Sequence, residues 1–175
     1  ADHVTPSFDE FLYINKLPRA ISYPKNRIKC LVVGDVGDEA LAQMRKEGYN
    51  VRHKEHIEDK YLQEAGVLFC DEAHQPKPEQ LANAGRLKVI GCFGKIQSRR
   101  LADTACVNGI IIFDDPKDNP RNLDFIPKRV IAFMNEGKTH TSCNFPDLQP
   151  PRINNAHRLI HIHHNVPGIL AKIND

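Results

Sequence analysis

The sequence predicts an α/β fold, a flavodoxin-like five-stranded parallel sheet with helices on both faces. Short apolar runs alternate with segments of helical periodicity, and one run follows the next at intervals of about 20 residues. The first of them, at residues 28–33, is a short continuous apolar run, which is typical of a strand that is covered on both faces. With 175 residues, the chain is long enough for one domain of ordinary size.

The predicted strands and helices alternate strictly along the first two thirds of the chain. The strands are IKCLVV (residues 28–33), YNVRH (49–53), VLFC (67–70), LKVIGCF (87–93) and IIIF (110–113). The helices are DEALAQMRKEGY (38–49), HIEDKYLQEAG (56–66), PKPEQLANAG (76–85) and SRRLADTACVNG (98–109). Asp38 is expected to be the N-cap of the first helix and Gly48 its stop. Alternation at this spacing indicates βαβ units, hence parallel strands between two layers of helices.

The flanking segments lack this alternation. Residues 1–27 carry prolines among scattered aromatics, which predicts an extended N-terminal arm whose apolar residues lie on the domain or on a partner. The charged, proline-containing DDPKDNPRN (114–122) is interpreted as a linker. The helix FIPKRVIAFMNEG (125–137) closes the domain at residues 28–137, and residues 138–175 form a linker followed by one more strand, HRLIHIH (157–163).

Composition excludes several classes of function. A formal net charge of +2 is too small to indicate nucleic-acid binding, and no apolar run is long enough to span a membrane. The five cysteines are far apart and include no Cys-x-x-Cys pair, so neither a zinc ribbon nor a redox pair is expected. They are interpreted as free thiols of an intracellular, reducing compartment, either the cytoplasm or an organelle matrix such as that of the mitochondrion.

Four stretches resemble one enzyme family, the D-3-phosphoglycerate dehydrogenases. LKVIGCF followed by NGIIIFD resembles the outer, substrate-binding domain, as does ALAQMRKEGYNVRHKE. MNEGKTHTSCNFPDL resembles the passage into the regulatory domain, and HRLIHIHHNVPGILAKIND resembles the first strand and helix start of the serine-binding ACT module. The resemblance covers roughly residues 28–113 and 125–175, in the order and spacing of that family.

The chain departs from this family where the cofactor would bind. The family inserts a nucleotide-binding domain between the fifth strand and the returning helix, and only residues 114–122 stand there in this chain. The dinucleotide fingerprint G-x-G-x-x-G is absent, and GDVG (34–37) lacks the third glycine and is interpreted as a strand-to-helix turn. The family's catalytic histidine and an essential arginine belong to the missing insert. The resemblance therefore implies no catalytic residue and no cofactor here.

The substrate-binding positions depart as well. The resemblance implies an Arg-Ser-Arg-Thr-like stretch after the third strand, a Gly-Thr-Asn turn after the fourth, and an asparagine after the fifth. The matching positions hold Asp71, Glu72, Ala73 and His74, then Ile96, Gln97 and Ser98, then Asp114. Carboxylates repel the anionic substrate that the family binds, so these changes weigh against hydroxy-acid chemistry and leave the question of catalysis open.

Three histidines near the end of the chain suggest two kinds of site. His157, His161 and His163 share one face of the predicted strand, but one strand cannot surround an ion, so no metal is expected. The resemblance implies instead a serine-like ligand held by His163 and Asn165, with Gly168 allowing its approach at a helix start. Because this chain supplies only the beginning of an ACT-like module, a structural remnant that packs elsewhere is the alternative.

These patterns favour a non-catalytic, phosphoglycerate dehydrogenase-like protein, a pseudoenzyme that serves as a structural or accessory subunit of a larger assembly. Its expected partners are other protein subunits, in a hetero-assembly or a homo-oligomer, rather than nucleic acid or a membrane. One alternative is a regulatory module that senses serine or another amino acid. Another is a residual enzyme, or the fragment of one, that works in serine biosynthesis with a cofactor domain supplied elsewhere.

Overall fold

The computed structural model describes residues 24–115 and 124–147. The strands are β1 (Lys29–Val33), β2 (Asn50–Lys54), β3 (Ala65–Asp71), β4 (Val89–Phe93) and β5 (Ile111–Phe113). The helices are α1 (Asp38–Lys46), α2 (Asp59–Leu62), α3 (Pro78–Leu81), α4 (Arg99–Val107) and α5 (Phe125–Glu136). A 3₁₀ turn, Lys25–Arg27, precedes β1. The strand predicted at residues 157–163 lies outside the described residues.

The five strands form one sheet in the order β2-β1-β3-β4-β5, and every neighbouring pair is parallel. This arrangement confirms the predicted flavodoxin-like sheet. The chain moves from β1 outward to β2 and then crosses to the other side of β1. The connections that leave the neighbouring strands β1 and β3 therefore lead to helices on opposite faces of the sheet. In doubly wound folds, ligands bind at such a switch point.

Strands β1, β3, β4 and β5 bury alternate side chains on opposite faces, which creates two apolar cores, whereas the edge strand β2 has no buried residue. On one face α2, α3 and α4 pack over a cluster that includes Leu31, Leu68, Ile90 and Ile112. On the other face α1 and α5 pack over Val32, Phe69, Ile111 and Phe113. The helices therefore lie on both faces of the sheet, as the alternation predicted.

Two predicted helices are shorter than expected. The helix predicted at residues 56–66 is only α2, because Ala65 is already paired with Lys29 at the start of β3. Pairing between strands overrides a local helical pattern, since the sheet buries Ala65 completely. The helix predicted at residues 76–85 is only α3, whose start is set by the amide of Lys77 donating to Gln80 Oε1.

Helix ends follow the predicted signals with one correction. Asp38 is not the N-cap of α1 but its first residue, because Gly37 takes the N-cap position with a φ of +77°. Ser98 caps α4, and its Oγ accepts a hydrogen bond from the amide of Leu101. Gly137 ends α5 in the left-handed conformation, and its amide donates to the carbonyl of Phe133.

Residues 139–147 cover the outer edge of β5. The amide of Ile112 donates to Asn144 Oδ1, and Asn144 Nδ2 donates to the carbonyl of Ile110, both at 2.8 Å. The amide of Cys143 donates to the carbonyl of Ile112. These bonds use backbone groups that an edge strand would otherwise expose. Residues 139–147 therefore belong to the same folded unit as the sheet, although they follow α5 in the chain.

The cysteines are all free thiols. Cys30, Cys70 and Cys92 are buried within strands, as their apolar surroundings predicted. Burial raises the pKa of Cys30 to about 12, so this thiol stays protonated and unreactive at neutral pH. No helix among the described residues is long and apolar enough to cross a membrane.

Candidate functional site at the carboxyl edge

The candidate site lies at the carboxyl ends of β1, β3, β4 and β5, where the sheet order places the switch point. Side chains that follow β3 reach the loops that follow β1 and β4, and Asp114 after β5 reaches the loop after β4. We refer to this group as the carboxyl-edge cluster. It consists of Asp71, Glu72, His74, Gln75, Lys95 and Asp114.

Asp71, the last residue of β3, lies at the centre of the switch point. Its Oδ2 accepts from the amide of Asp35 at 2.9 Å. Its Oδ1 accepts from the amide of His74 at 2.9 Å and lies 2.6 Å from His74 Nδ1. An ionised carboxylate only accepts hydrogen bonds, so His74 carries a proton on Nδ1. Asp71 therefore joins the loops after β1 and β3.

Gly34 allows this arrangement. It has a φ of +90°, and a Cβ at this position would lie 2.4 Å from both Cγ and Oδ2 of Asp71. The carboxylate consequently lies directly over the Gly34 backbone. A side chain at residue 34 would force the carboxylate away from the Asp35 amide.

The hydrogen bonds keep Asp71 ionised. Burial by itself opposes ionisation, but the amide of Asp35 and then the ring and amide of His74 outweigh it, so the pKa of Asp71 lies below its usual value. Asp71 is thus a fixed negative charge at neutral pH. It already occupies the amides of Asp35 and His74 beside the switch point.

Two side chains after β3 bind the backbone of the loop after β4. The amide of Lys95 donates to Glu72 Oε1 at 3.2 Å. Gln75 Nε2 donates to the carbonyl of Lys95 at 2.7 Å, and the amide of Gln97 lies 3.5 Å from Gln75 Oε1. Gly94 has a φ of +142°, and a Cβ there would lie 2.5 Å from the Cβ of Glu72. The two loops are therefore in direct contact.

Asp114 binds the same loop from the end of β5. The amide of Ile96 donates to Asp114 Oδ2 at 3.2 Å, and Lys95 Nζ lies 3.9 Å from Oδ1. The amide of the neighbouring Asp115 donates to the carbonyl of Gly94. Burial and then the charge of Asp114 raise the pKa of Asp115. The charge of Asp114 thus adds to the effect of burial, while Lys95 opposes it.

The start of α1 adds further acidic groups. A hollow of about 340 Å³ opens beside the turn at residues 34–38, next to His53. In doubly wound folds, a phosphate group binds where such a helix begins. Here the first turn of α1 holds Asp38 and Glu39, with Asp35 just before it. These carboxylates already interact favourably with the positive end of the helix dipole.

These contacts tie the loops of the carboxyl edge together around acidic side chains. The amides of Asp35, His74, Lys95, Ile96 and Gln97 all face acceptors from the chain's own side chains. Within the described part of the chain, no group of three or more histidine, cysteine, aspartate or glutamate side chains could hold a metal ion. The arrangement holds its own loops together, and these five amides are already engaged by side chains of the chain itself.

Sequence reasoning found part of this site. It singled out Asp71, Glu72 and Asp114 as acids where an anion would bind, and the structure brings all three to one edge. It missed the bonds from Asp71 to Asp35 and His74, and it missed Gln75 altogether. A strand-terminal aspartate followed three residues later by histidine is the signal that could have indicated the Asp71–His74 pair.

The predicted ligand-binding residues His163, Asn165 and Gly168 lie outside the described residues, as do His157 and His161. Their role stays a prediction. Of the motif NFPDL, residues 144–147 are described, and they belong to the segment that covers β5. Asn144 has a structural role there, since its side chain bonds the backbone on both sides of Ile111.

Comparison with known proteins confirms the resemblance to D-3-phosphoglycerate dehydrogenases. The chain is 39% identical over 54 residues to the enzyme of Haemophilus influenzae, which covers 30% of this chain and 13% of that protein. It is 39% identical over 46 residues to the enzyme of Dictyostelium discoideum, which covers 26% and 11%. The matches thus span about an eighth of the length of these relatives. No protein-family profile matches the chain.

Solved structures give weaker matches. The PH0520 protein of Pyrococcus horikoshii is 23% identical with a TM-score of 0.44, over 52% of this chain and 28% of the other. NAD⁺-bound 3-phosphoglycerate dehydrogenase of Entamoeba histolytica is 14% identical with a TM-score of 0.41, over 51% and 33%.

Proposed function

We propose that this chain is a non-catalytic relative of D-3-phosphoglycerate dehydrogenase that serves as a structural or accessory subunit of a larger assembly. One observation carries the proposal. At the carboxyl edge of the sheet, where an anionic substrate would bind in a fold of this kind, the backbone amides of Asp35, His74, Lys95 and Ile96 are bonded to side chains of the chain itself.

Asp71 is the strongest obstacle to substrate binding. A substrate carboxylate or phosphate would need the amides of Asp35 and His74, which already bind the carboxylate of Asp71, a residue of the same chain held in place at the end of β3. Intramolecular groups have a high effective concentration, so a free anion competes poorly with them. The charge of Asp71 also repels the anion at close range.

The loop after β4 is closed in the same way. Glu72 and Asp114 accept from the amides of Lys95 and Ile96, and Gln75 binds the carbonyl of Lys95. The loop's one lysine lies 3.9 Å from the Asp114 carboxylate, which offsets its charge. The loop after β4 is thus held by side chains that follow β3 and by one that follows β5. A loop fixed in this way suits a structural role better than one in which the loop moves to bind a ligand.

The connection from β5 to α5 supports the same proposal. Only residues 114–124 separate Phe113 from Phe125, whereas the family resemblance implies a whole nucleotide-binding domain at this point. Ile126, in the first turn of α5, is completely buried and packs over Gly91 of β4. Helix α5 therefore returns directly to the sheet.

Turnover by the full chain is the direct test of the non-catalytic proposal. Purified protein incubated with D-3-phosphoglycerate and NAD⁺ is expected to give no NADH absorbance, while an active D-3-phosphoglycerate dehydrogenase assayed alongside gives a clear rate. Fluorescence titration with NADH is expected to show no binding. Turnover or saturable NADH binding by the full chain alone would refute the proposal and favour the residual-enzyme alternative.

The accessory role has its own test. The protein isolated from its source under native conditions is expected to migrate together with other polypeptides, at a mass well above the 19.8 kDa of this chain. A free monomer at that mass would contradict the accessory role and would leave the non-catalytic proposal standing. The serine-sensing alternative would show as saturable heat on titration of the full chain with serine.

A further inference from the structure

A hollow of about 470 Å³ opens at the amino-terminal edge of the sheet, opposite the carboxyl-edge cluster. We refer to it as the amino-edge hollow. Its apolar lining comes from Ile28, Gly66 and Met134, and a Cβ at Gly66 would lie 2.8 Å from Cγ2 of Ile28. Gly85 lies on its border, and a Cβ there would meet no atom within 4 Å. The volume lies within the range of roughly 300–1,000 Å³ that is typical of ligand-binding sites in proteins.

A smaller hollow of about 150 Å³ adjoins the first, beside β1 and β2. Its uncharged lining comes from Leu31, Tyr61 and Ala65. Lys29 and Glu64 line both hollows, so the two are continuous with each other. We refer to the two hollows together as the basic groove.

Positive charge is concentrated in the basic groove. Six cations and one carboxylate line it: Arg27, Lys29, Arg52, Lys54, Arg86, Lys88 and Glu64. The whole chain has a formal net charge of only +2, so the rest of the chain is net negative. The groove therefore attracts an acidic partner although the protein as a whole is nearly neutral.

Most of these cations are not neutralised by the described part of the chain. Glu64 is paired with Lys29, and Lys54 Nζ lies 4.5 Å from the centre of the Tyr61 ring. The other four are exposed, and within residues 24–115 and 124–147 none of them forms an ion pair: Arg27, Arg52, Arg86 and Lys88. Their charges are therefore available to the carboxylates of another molecule.

We propose that the basic groove binds an acidic segment of a partner subunit, one in which carboxylates flank apolar side chains. This inference rests on the accessory role proposed above and assigns a surface to it. The partner's apolar side chains gain free energy by leaving water in the amino-edge hollow. Its carboxylates pair with the cations around the hollow, whose aliphatic stems extend the apolar surface.

A nucleic-acid strand fits the groove less well. The amino-edge hollow has no aromatic ring in its lining on which a base could stack. The ring of Tyr61 in the smaller hollow is already contacted by Lys54 and Lys60, whose Nζ atoms lie 4.5 and 4.8 Å from its centre. Exposed ion pairs contribute little individually, so the apolar floor supplies most of the affinity and the charges select the partner.

Fluorescence anisotropy with labelled synthetic peptides tests the proposal on the purified full chain. The probe peptide repeats Glu-Leu-Leu-Glu, and two matched peptides repeat Gln-Leu-Leu-Gln or Glu-Ser-Ser-Glu. We expect saturable binding of the probe peptide and at least about tenfold weaker binding of each matched peptide. The affinity for the probe peptide is expected to fall as the salt concentration rises. A labelled single-stranded oligodeoxynucleotide is expected to bind more weakly than the probe peptide.

Variants of the groove locate the binding. Arg86→Glu with Lys88→Glu is expected to weaken binding of the probe peptide by at least about tenfold, because it replaces two attractions by two repulsions. Gly85→Phe, which narrows the amino-edge hollow without changing its charge, is expected to weaken binding severalfold. The matched control is Arg99→Glu with Lys128→Glu, in the first turns of α4 and α5, where neither residue lines the groove. It is expected to change the affinity by less than about twofold. Thermal unfolding checks that every variant is folded.

Several results would overturn the proposal. They are the absence of saturable binding of the probe peptide, equal binding of the three peptides, and an affinity that Arg86→Glu with Lys88→Glu leaves unchanged. Tighter binding of the oligodeoxynucleotide would assign the groove to nucleic acid. Self-association of the chain that the same two substitutions abolish would assign it to a second copy. Because the titration uses the purified chain, its failure is distinct from failure of the accessory role, which the native mass decides.

Discussion

The Asp71 carboxylate accepts hydrogen bonds from two backbone amides and contacts the imidazole of His74. It can lie there only because residue 34 is glycine, since a Cβ at that position would overlap the carboxylate. At the scale of single residues, this acid is an internal hydrogen-bond acceptor. It binds the amides at the switch point, and it joins the loops after β1 and β3. A group that would repel a substrate thereby stabilises the fold.

Asp71→Asn tests this role. The substitution removes the charge and weakens three hydrogen bonds, so the free energy of unfolding is expected to fall by about 1–2 kcal/mol at pH 7. The pKa of Asp71 is lower in the folded protein, so its contribution is complete above the ordinary value of about 3.9 and is lost as the pH falls through the folded value.

Urea unfolding of both proteins from pH 7 to pH 2 measures the effect. The difference between wild type and Asp71→Asn is expected to be constant above about pH 5 and to shrink in acid. Asp103→Asn is the control, because its side chain is 71% exposed and its pairing with Arg99 is long. A difference that does not depend on pH would exclude a charged Asp71 as the cause.

At the scale of elements, β5 is the weak point of the sheet. It has only three residues, and β4 pairs with one side of it. Its other side is covered by irregular chain, in which Asn144 reproduces with its side-chain amide the pairing that a sixth strand would provide. The stability of β5 therefore depends on one side chain that comes after α5.

Asn144→Ala is expected to lower the free energy of unfolding by about 1–3 kcal/mol, because it leaves the amide of Ile112 and the carbonyl of Ile110 without these partners. Hydrogen exchange of the Ile112 amide is expected to become faster by a larger factor than the loss of global stability alone would cause. Asn108→Ala is the control, since it removes a bond between an exposed side chain and the carbonyl of Thr104. Equal effects of the two substitutions would contradict the proposed role of Asn144.

At the scale of the whole molecule, both layers of helices have to pack closely against the central strands. Gly91 in β4 allows this close packing on the face that α5 covers. A Cβ at this position would lie 2.5 Å from Cε1 of Phe69 and 2.7 Å from Cγ2 of Ile126. Because Ile126 follows the short connection from β5, the packing over Gly91 holds the returning helix against the sheet.

Gly91→Ala is therefore expected to destabilise the protein by about 1–3 kcal/mol through overpacking. Gly85→Ala is the matched control, because a Cβ there meets no atom within 4 Å, and it is expected to change stability by less than about 0.5 kcal/mol. Chemical denaturation of both variants measures the two changes. A neutral Gly91→Ala would show that α5 can shift without cost.

The sequence by itself determined the type and order of the elements. Continuous apolar runs such as those around Val32 and Ile90 have to be buried on both faces. Their alternation with helical segments predicts a parallel sheet, because the helices that connect the strands then cover both faces. The same pattern overestimated α2 and α3. The strand pairing of Ala65 ends α2 early, and the side-chain cap from Gln80 starts α3 at Pro78. Both depend on specific contacts rather than on periodicity.

Only the tertiary structure decided what the carboxyl edge does. Asp71 and Asp35 are 36 residues apart, and Gln75 and Lys95 are 20 apart, so no local pattern reveals that they are bonded. The sequence showed acids where an anion would bind, which indicates repulsion. The sheet order brought those acids onto the backbone amides of neighbouring loops, because parallel strands end at one edge, and this turned repulsive groups into internal hydrogen-bond acceptors.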